Sequence, residues 1–150
     1  MASRRSGASV LVDSGAWIAL LSARDQHHDE AEELFQRAAR EGVPLLTTNL
    51  ILAEVHRFVL FRAGIRAASV ALGHIEASAL VRIEFATAAH HRSALAWLGR
   101  FDDQRFTYTD AVSFAVMRAT SCRAVLGFDR DFAVAGFTFW GAGRCVTPSP

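Results

Sequence analysis

The sequence predicts a three-layer α/β/α sandwich around a central, mostly parallel sheet of four to five strands. Short apolar runs rich in β-branched residues alternate with longer segments in which apolar residues recur at helical spacing. None of the apolar runs is joined to the next by a hairpin turn signal, so successive strands are expected to run parallel. At 150 residues and 51% hydrophobic, the chain is predicted to form one domain over 1–150, with flexible ends at 1–8 and 144–150.

The first strand is predicted at residues 10–12, where the run is apolar throughout, as in strands buried on both faces of a sheet. A helix follows around 17–21, and an amphipathic helix is predicted for 28–41, where Gly42 ends it. The later elements alternate in the same way. Further strands are predicted at 43–48, 80–85, 123–128 and 137–140, with helices at 49–63, 66–78, 90–101 and 107–120 and a turn at 129–133.

Composition excludes several kinds of chemistry. All 16 basic residues are arginine, so mechanisms that need a lysine amine, such as Schiff-base chemistry or a phosphate-binding P-loop, are excluded. The two cysteines, Cys122 and Cys145, have no CxxC spacing and are predicted to be reduced thiols. Because no apolar run approaches the roughly 18 residues of a membrane span, we expect a soluble, cytoplasmic protein.

Four carboxylates occur where solvent is not expected. Asp13 and Asp129 each follow an apolar strand, Glu54 interrupts an apolar helix on the face that also carries Phe58, and Asp110 opens another apolar helix. An unpaired carboxylate is costly to desolvate, and these neighbourhoods lack an evident cationic partner. Four such acids at one end of a parallel sheet would repel one another unless a divalent cation neutralised them.

Each acid also has a purely structural interpretation. Asp13 can cap the helix that follows it, and the helix dipole favours Asp110 in a first turn. Asp129 and Asp131 are common turn formers. Glu54 is the hardest to explain in this way, because a carboxylate on an apolar helical face needs a partner. The joint pattern favours a shared site, since all four acids fall at strand ends or on helices near them.

Mg²⁺ suits such a cluster, because it prefers carboxylate and water oxygens and usually keeps several waters. Those waters leave room for a phosphodiester oxygen and for a water, activated by the metal, that attacks phosphorus in line. One or two ions would stabilise the entering and leaving oxygens. The acids are therefore interpreted as metal ligands of a nuclease.

Four segments in order resemble the PIN-domain ribonucleases, and in particular the VapC-type toxins of prokaryotic toxin–antitoxin pairs. The resemblance spans residues 10–139, and its four motifs together are specific. They are Val12-Asp13-Ser14-Gly15-Ala16-Trp17, Thr48-Asn49-Leu50-Ile51-Leu52-Ala53-Glu54-Val55, Tyr108-Thr109-Asp110-Ala111-Val112-Ser113-Phe114 and Gly127-Phe128-Asp129-Arg130-Asp131-Phe132. The resemblance implies a Mg²⁺- or Mn²⁺-dependent endoribonuclease that cleaves structured RNA such as tRNA or rRNA.

The resemblance also implies roles for individual residues. Asp13, Glu54 and Asp110 match the family's three central acids, which are catalytic and bind the metal. Asp129 matches the more variable fourth acid, with Asp131 as the alternative. Ser14, Asn49 and Thr109 match polar residues that neighbour the site in this family. The implied partners are the RNA substrate, a second copy of the chain in a homodimer, and a small cognate antitoxin whose tail occupies the active-site groove.

Other functions remain open at this stage. The chain is alternatively an RNA-processing PIN nuclease without an antitoxin, or a binding protein with a degenerate site. A receiver-like or phosphatase-like domain, phosphorylated on one aspartate, is a further alternative that the absence of lysine disfavours. Apolar stripes at Trp17/Leu20/Leu21 and Phe58/Phe61 are either core or an interface with a partner chain.

Overall fold

The computed structural model describes residues 8–142 and contains a five-stranded sheet with helices on both faces. The predicted flexible ends fall outside this range, apart from Ala8. The strands are β1 (Val10–Val12), β2 (Leu45–Thr48), β3 (Val81–Glu84), β4 (Ala124–Leu126) and β5 (Thr138–Phe139). The helices are α1 (Ser14–Leu21), α2 (His28–Glu41), α3 (Asn49–Ala63), α4 (Ile65–Ala77), α5 (Ala88–Arg100), α6 (Tyr108–Ala119) and α7 (Asp131–Val134).

All strand pairs of the described sheet are parallel, in the order β3-β2-β1-β4-β5. β1 is central, with Val10 aligned to Leu45 of β2 on one side and to Ala124 of β4 on the other. The chain fills the sheet outward from β1 to β3 and then crosses to β4 and β5. The direction of winding therefore reverses between β1 and β4, which is where open α/β sheets form a crevice beyond their strand ends.

Helix α6 forms the centre of one helical layer. Its sequence is apolar almost all round, and every residue from Asp110 to Met117 is buried. Phe114 contacts four aromatic rings at centroid distances of 5.1–5.7 Å, namely those of Trp97, Phe106, Phe132 and Phe137. A helix without a polar face must be enclosed on all sides, and this ring cluster supplies one wall.

The predicted fold class is confirmed, and the differences are confined to element ends and one short helix. α5 begins two residues earlier than predicted, because Thr87 and His90 form a capping box across its first turn. The predicted turn at 129–133 overlaps the four-residue helix α7, which is too short to leave a periodic pattern. The strands are shorter than predicted by two or three residues, apart from β1.

The predicted apolar stripes divide between core and surface. Trp17 is buried, packs on Phe35 at 4.9 Å and donates from Nε1 to Thr47 Oγ1 at 3.4 Å. Leu21 and Phe61 are exposed instead. Within residues 8–142, the helices are all too short or too polar to cross a lipid bilayer.

Candidate active site

Asp13 lies at the centre of the site because β1 positions it. Its backbone N–H donates to the carbonyl of Leu126 in β4, and its own carbonyl accepts from Ala16 and Trp17 at the start of α1. It is therefore the N-cap residue of α1, but its side chain makes no capping hydrogen bond. The residue is buried, with an exposed fraction of only 6%.

The ionisation of Asp13 reflects both its burial and the charges of three other acids. The pKa of Asp13 is raised from 3.8 to about 7, and burial is the largest cause. The Ser14 backbone N–H lowers the pKa, whereas the negative charges of Asp110, Glu54 and Asp129 contribute to raising it. Residues from four separate segments therefore lie close enough for their charges to act on Asp13.

Asp110 is at once a capping residue and a member of this cluster. Its Oδ2 accepts from the Thr107 N–H at 2.8 Å, and its own N–H donates to Thr107 Oγ1 at 3.1 Å. Burial raises the pKa of Asp110, the hydrogen bonds from Thr107 lower it, and the charges of Asp129 and Asp131 raise it. Asp110 lies in the first turn of α6, as its structural interpretation predicts. That interpretation does not explain why a buried carboxylate lies near two other acids.

Glu54 does not lie on a buried face, and that part of the prediction is wrong. The face of α3 that packs into the core carries Ile51, Val55 and Val59, whereas Glu54 is half-buried and Phe61 is 74% exposed. α3 is apolar on most of its surface, so sequence periodicity does not show which side faces the sheet. The structure nevertheless places the Glu54 charge where it acts on Asp13.

Asp129 is exposed, so the prediction that solvent is excluded from it is wrong as well. Its Oδ1 accepts from the Asp131 backbone N–H at 3.0 Å, as the turn interpretation predicts. Its charge raises the pKa of both Asp13 and Asp110, whereas the charge of Asp131 acts on Asp110. Burial and the neighbouring Asp129 raise the pKa of Asp131.

The predicted polar neighbours have structural roles or lie beside the acids. Asn49 Oδ1 accepts from the Ala86 N–H at 2.9 Å and so ties the start of α3 to the segment after β3. The Thr109 carbonyl accepts from Ser113 Oγ at 2.9 Å. Ser14 is the half-buried first residue of α1.

The donor set fits a hard divalent cation, although the ligands do not converge fully. Across residues 8–142, no group of three or more His, Cys, Asp or Glu side chains is arranged to hold a metal ion. Nor does any arginine or histidine of this range form an ion pair with Asp13, Glu54, Asp110 or Asp129. Mg²⁺ is commonly bound by one or two carboxylates and several waters. Asp13 and Asp110 are the two buried carboxylates among these acids, and they are the residues that would hold such an ion.

Sequence reasoning missed Gly127, which stands between β4 and Asp129. A β-carbon on Gly127 would lie 3.1 Å from Cβ of Asp13 and 3.9 Å from its Oδ2. Only a residue without a side chain leaves this space to Asp13. The sequence shows a glycine directly after a buried strand and two residues before Asp129, but it does not show that this glycine approaches Asp13.

Known proteins share both the sequence pattern and the fold of this chain. The PIN domain family profile matches residues 10–138. The chain is 38% identical over 128 residues to the 23S rRNA-specific endonuclease VapC20 of two Mycobacterium tuberculosis strains, covering 85% of this chain and 95% of the relative. The crystal structure of M. tuberculosis VapC20, a sarcin–ricin loop cleaving toxin, superposes with a TM-score of 0.78 at 37% identity, over 87% of this chain and 97% of that one. The chain therefore belongs to the PIN-domain family, in its VapC-type group.

Proposed function

We propose that the chain is a divalent-metal-dependent endoribonuclease, the toxin of a type II toxin–antitoxin pair, and that it cleaves the sarcin–ricin loop of 23S rRNA in the cytoplasm. The observation that carries the proposal is the buried carboxylate of Asp13 at the switch point of the sheet, with the charges of Asp110, Glu54 and Asp129 acting on it. The rRNA substrate is favoured over tRNA because the similar protein is named for 23S rRNA.

The acids have distinct parts in the proposed hydrolysis. Asp13 and Asp110 would hold Mg²⁺ or Mn²⁺, and Asp129 would add negative charge from the solvent side. When bound, such an ion would neutralise charge on the phosphate and lower the pKa of a water molecule beside it. Glu54, half-buried and open to solvent, would accept the proton of the attacking water. The water oxygen forms a bond to phosphorus as the bond to the leaving ribose oxygen breaks.

Substitution of Asp13 tests this proposal. Asp13→Asn should abolish cleavage of a hairpin carrying the sarcin–ricin loop, while circular dichroism shows the wild-type fold. Glu32→Gln, an exposed acid on α2, is the matched control and should cleave normally. EDTA should stop the wild-type reaction, and Mg²⁺ or Mn²⁺ should restore it. Full activity of Asp13→Asn, or of the EDTA-treated enzyme, would contradict the proposal.

A groove between α1, α3 and α4 supports an antitoxin partner. It has a volume of about 390 Å³, an apolar floor that includes Leu21, Phe58 and Val70, and cationic side chains from Arg24 and Arg62. This combination fits an acidic amphipathic helix. Growth arrest on expression, relieved by the product of a short neighbouring reading frame, would separate a toxin from an RNA-processing nuclease that needs no antitoxin.

A homodimer is part of the same proposal. Phe61 and Ile65, at the junction of α3 and α4, are 74% and 61% exposed, and such apolar surface is commonly covered by a second chain. Light scattering of the isolated protein should give twice the mass of the chain. Phe61→Glu should return it to one chain, whereas Leu95→Glu, also exposed but on α5, serves as the control.

A further inference from the structure

A second pocket lies beside the acids at the same end of the sheet. It has a volume of about 320 Å³, and we name it the aromatic pocket after Phe128, Phe139 and Trp140. Its other lining residues include Gly127, Arg130 and the acid Glu30. Apart from Glu30, these residues end or follow β4 and β5, so the pocket opens at the carboxyl end of the sheet, where α/β folds bind their ligands. Gly127 lines the pocket and also lies next to Asp13, so it separates the pocket from the acids.

The rings of the aromatic pocket are half-buried and supported from outside it. The ring of Phe128 stacks on His27 with 4.2 Å between centroids and 7° between planes. The Arg37 guanidinium lies 4.9 Å from the centre of the Trp140 ring, and Arg37 does not line the pocket. Flat rings held in this way are the surfaces on which unpaired RNA bases stack.

Arg130 adds a positive charge at the mouth of the aromatic pocket. It is exposed and lies between Asp129 and Asp131 in the chain. Within the described part of the chain, its guanidinium forms no ion pair with either neighbour or with any other acid. The planar guanidinium of an arginine can donate two parallel hydrogen bonds to a pair of phosphate oxygens.

We propose that the aromatic pocket receives the base of one nucleotide next to the scissile phosphate, and that Arg130 contacts the phosphate of that nucleotide. The inference rests on the proposed endoribonuclease function and adds the place where the substrate is held. The volume of the pocket falls at the lower end of the range for small-ligand sites, about 300–1,000 Å³. A single base therefore fits it better than a folded peptide segment.

Kinetics of two variants provide the first test. Trp140→Leu and Arg130→Gln should each raise KM for the sarcin–ricin hairpin about tenfold with a smaller change in kcat, because they remove binding that exists before the transition state. Phe85→Leu and Arg66→Gln replace an exposed aromatic residue and an exposed arginine outside the pocket and should match wild type. Thermal unfolding checks that Trp140→Leu is folded. Because Arg130 is exposed, Arg130→Gln should fold normally, and it tests the inference even if Trp140→Leu does not fold.

An RNA series lacking one base on either side of the cleavage site provides the second test. For wild type, removal of the base that occupies the pocket should raise KM about tenfold, and the same removal should have no effect on Trp140→Leu. If the effects of base removal and of Trp140→Leu on KM add at every position, the inference is overturned. It is also overturned if both pocket variants have the same kinetics as the controls, and either result leaves the nuclease proposal intact. Failure of wild type to cleave any RNA would instead overturn the proposed function and this inference with it.

Discussion

Gly127 and Asp13 approach so closely that a β-carbon on the glycine would lie 3.1 Å from Cβ of the aspartate. The same β-carbon would also lie 3.5 Å from a methyl group of Val125. Both β1 and β4 are fixed in the sheet by their ladder hydrogen bonds, so neither backbone is free to move away. The position of the catalytic candidate therefore depends on a residue that has no side chain.

We expect Gly127→Ala to lower the free energy of unfolding by about 1–3 kcal/mol, the usual cost of overpacking a buried site. Cleavage should fall roughly a hundredfold, because displaced reacting groups lose catalytic alignment. Urea unfolding and hairpin cleavage measure the two effects. Gly73→Ala is the control, since a β-carbon there meets nothing within 4 Å and α4 should gain stability. Equal behaviour of the two variants would show that the contact is unimportant.

The stability of the metal-free protein should decrease as pH rises from about 4 to about 7. Asp13 has a pKa of about 7 in the folded chain against an ordinary value of 3.8, so the folded state binds more protons than the unfolded state between these values. Each pH unit in that window removes up to about 1.4 kcal/mol of unfolding free energy. The raised pKa of Asp110 acts in the same direction.

Chemical denaturation at pH 5 and pH 8 in EDTA measures this dependence. The wild type should be less stable at pH 8 by up to about 3 kcal/mol, and Asp13→Asn should lose most of the difference. Addition of Mg²⁺ at pH 8 should restore stability to the wild type but not to the variant. A wild type that becomes more stable between pH 5 and pH 8 in EDTA would contradict the assignment of a buried, protonated Asp13.

The sequence was sufficient to predict the sheet and the position of Asp13, because a buried strand followed by an acid and small residues leaves few alternatives in a parallel fold. It was insufficient for Glu54, since α3 is apolar on several sides and its orientation is set by packing of Ile51 and Val59. The exposure of Asp129 depends on the turn that its own side chain stabilises. Contacts between segments, such as that of Gly127 with Asp13, carry no local signal.

The two candidates for the fourth acid should separate in activity. Asp129 acts on both Asp13 and Asp110, whereas Asp131 acts on Asp110. We therefore expect Asp129→Asn to weaken Mg²⁺ or Mn²⁺ binding by about 10–100-fold, as for other groups that support a metal site. Asp131→Asn is the matched control and should bind the ion nearly as wild type does. Calorimetric titration and cleavage rates decide between them, and the reverse order would assign the role to Asp131.

The capping and ligand roles of Asp110 should also be separable, because they use different groups. Thr107→Ala removes the hydroxyl that accepts from the Asp110 N–H at 3.1 Å, so unfolding free energy should fall by about 1 kcal/mol while cleavage persists. Thr87→Ala breaks the equivalent capping box of α5 and should lower stability in the same way, with cleavage unchanged.

Asp110→Asn keeps an oxygen for the Thr107 N–H but removes the charge. Cleavage should then disappear with stability at pH 8 retained, because burial penalises the charged carboxylate. A loss of stability in Asp110→Asn equal to that in Thr107→Ala, with cleavage intact, would make Asp110 a capping residue alone.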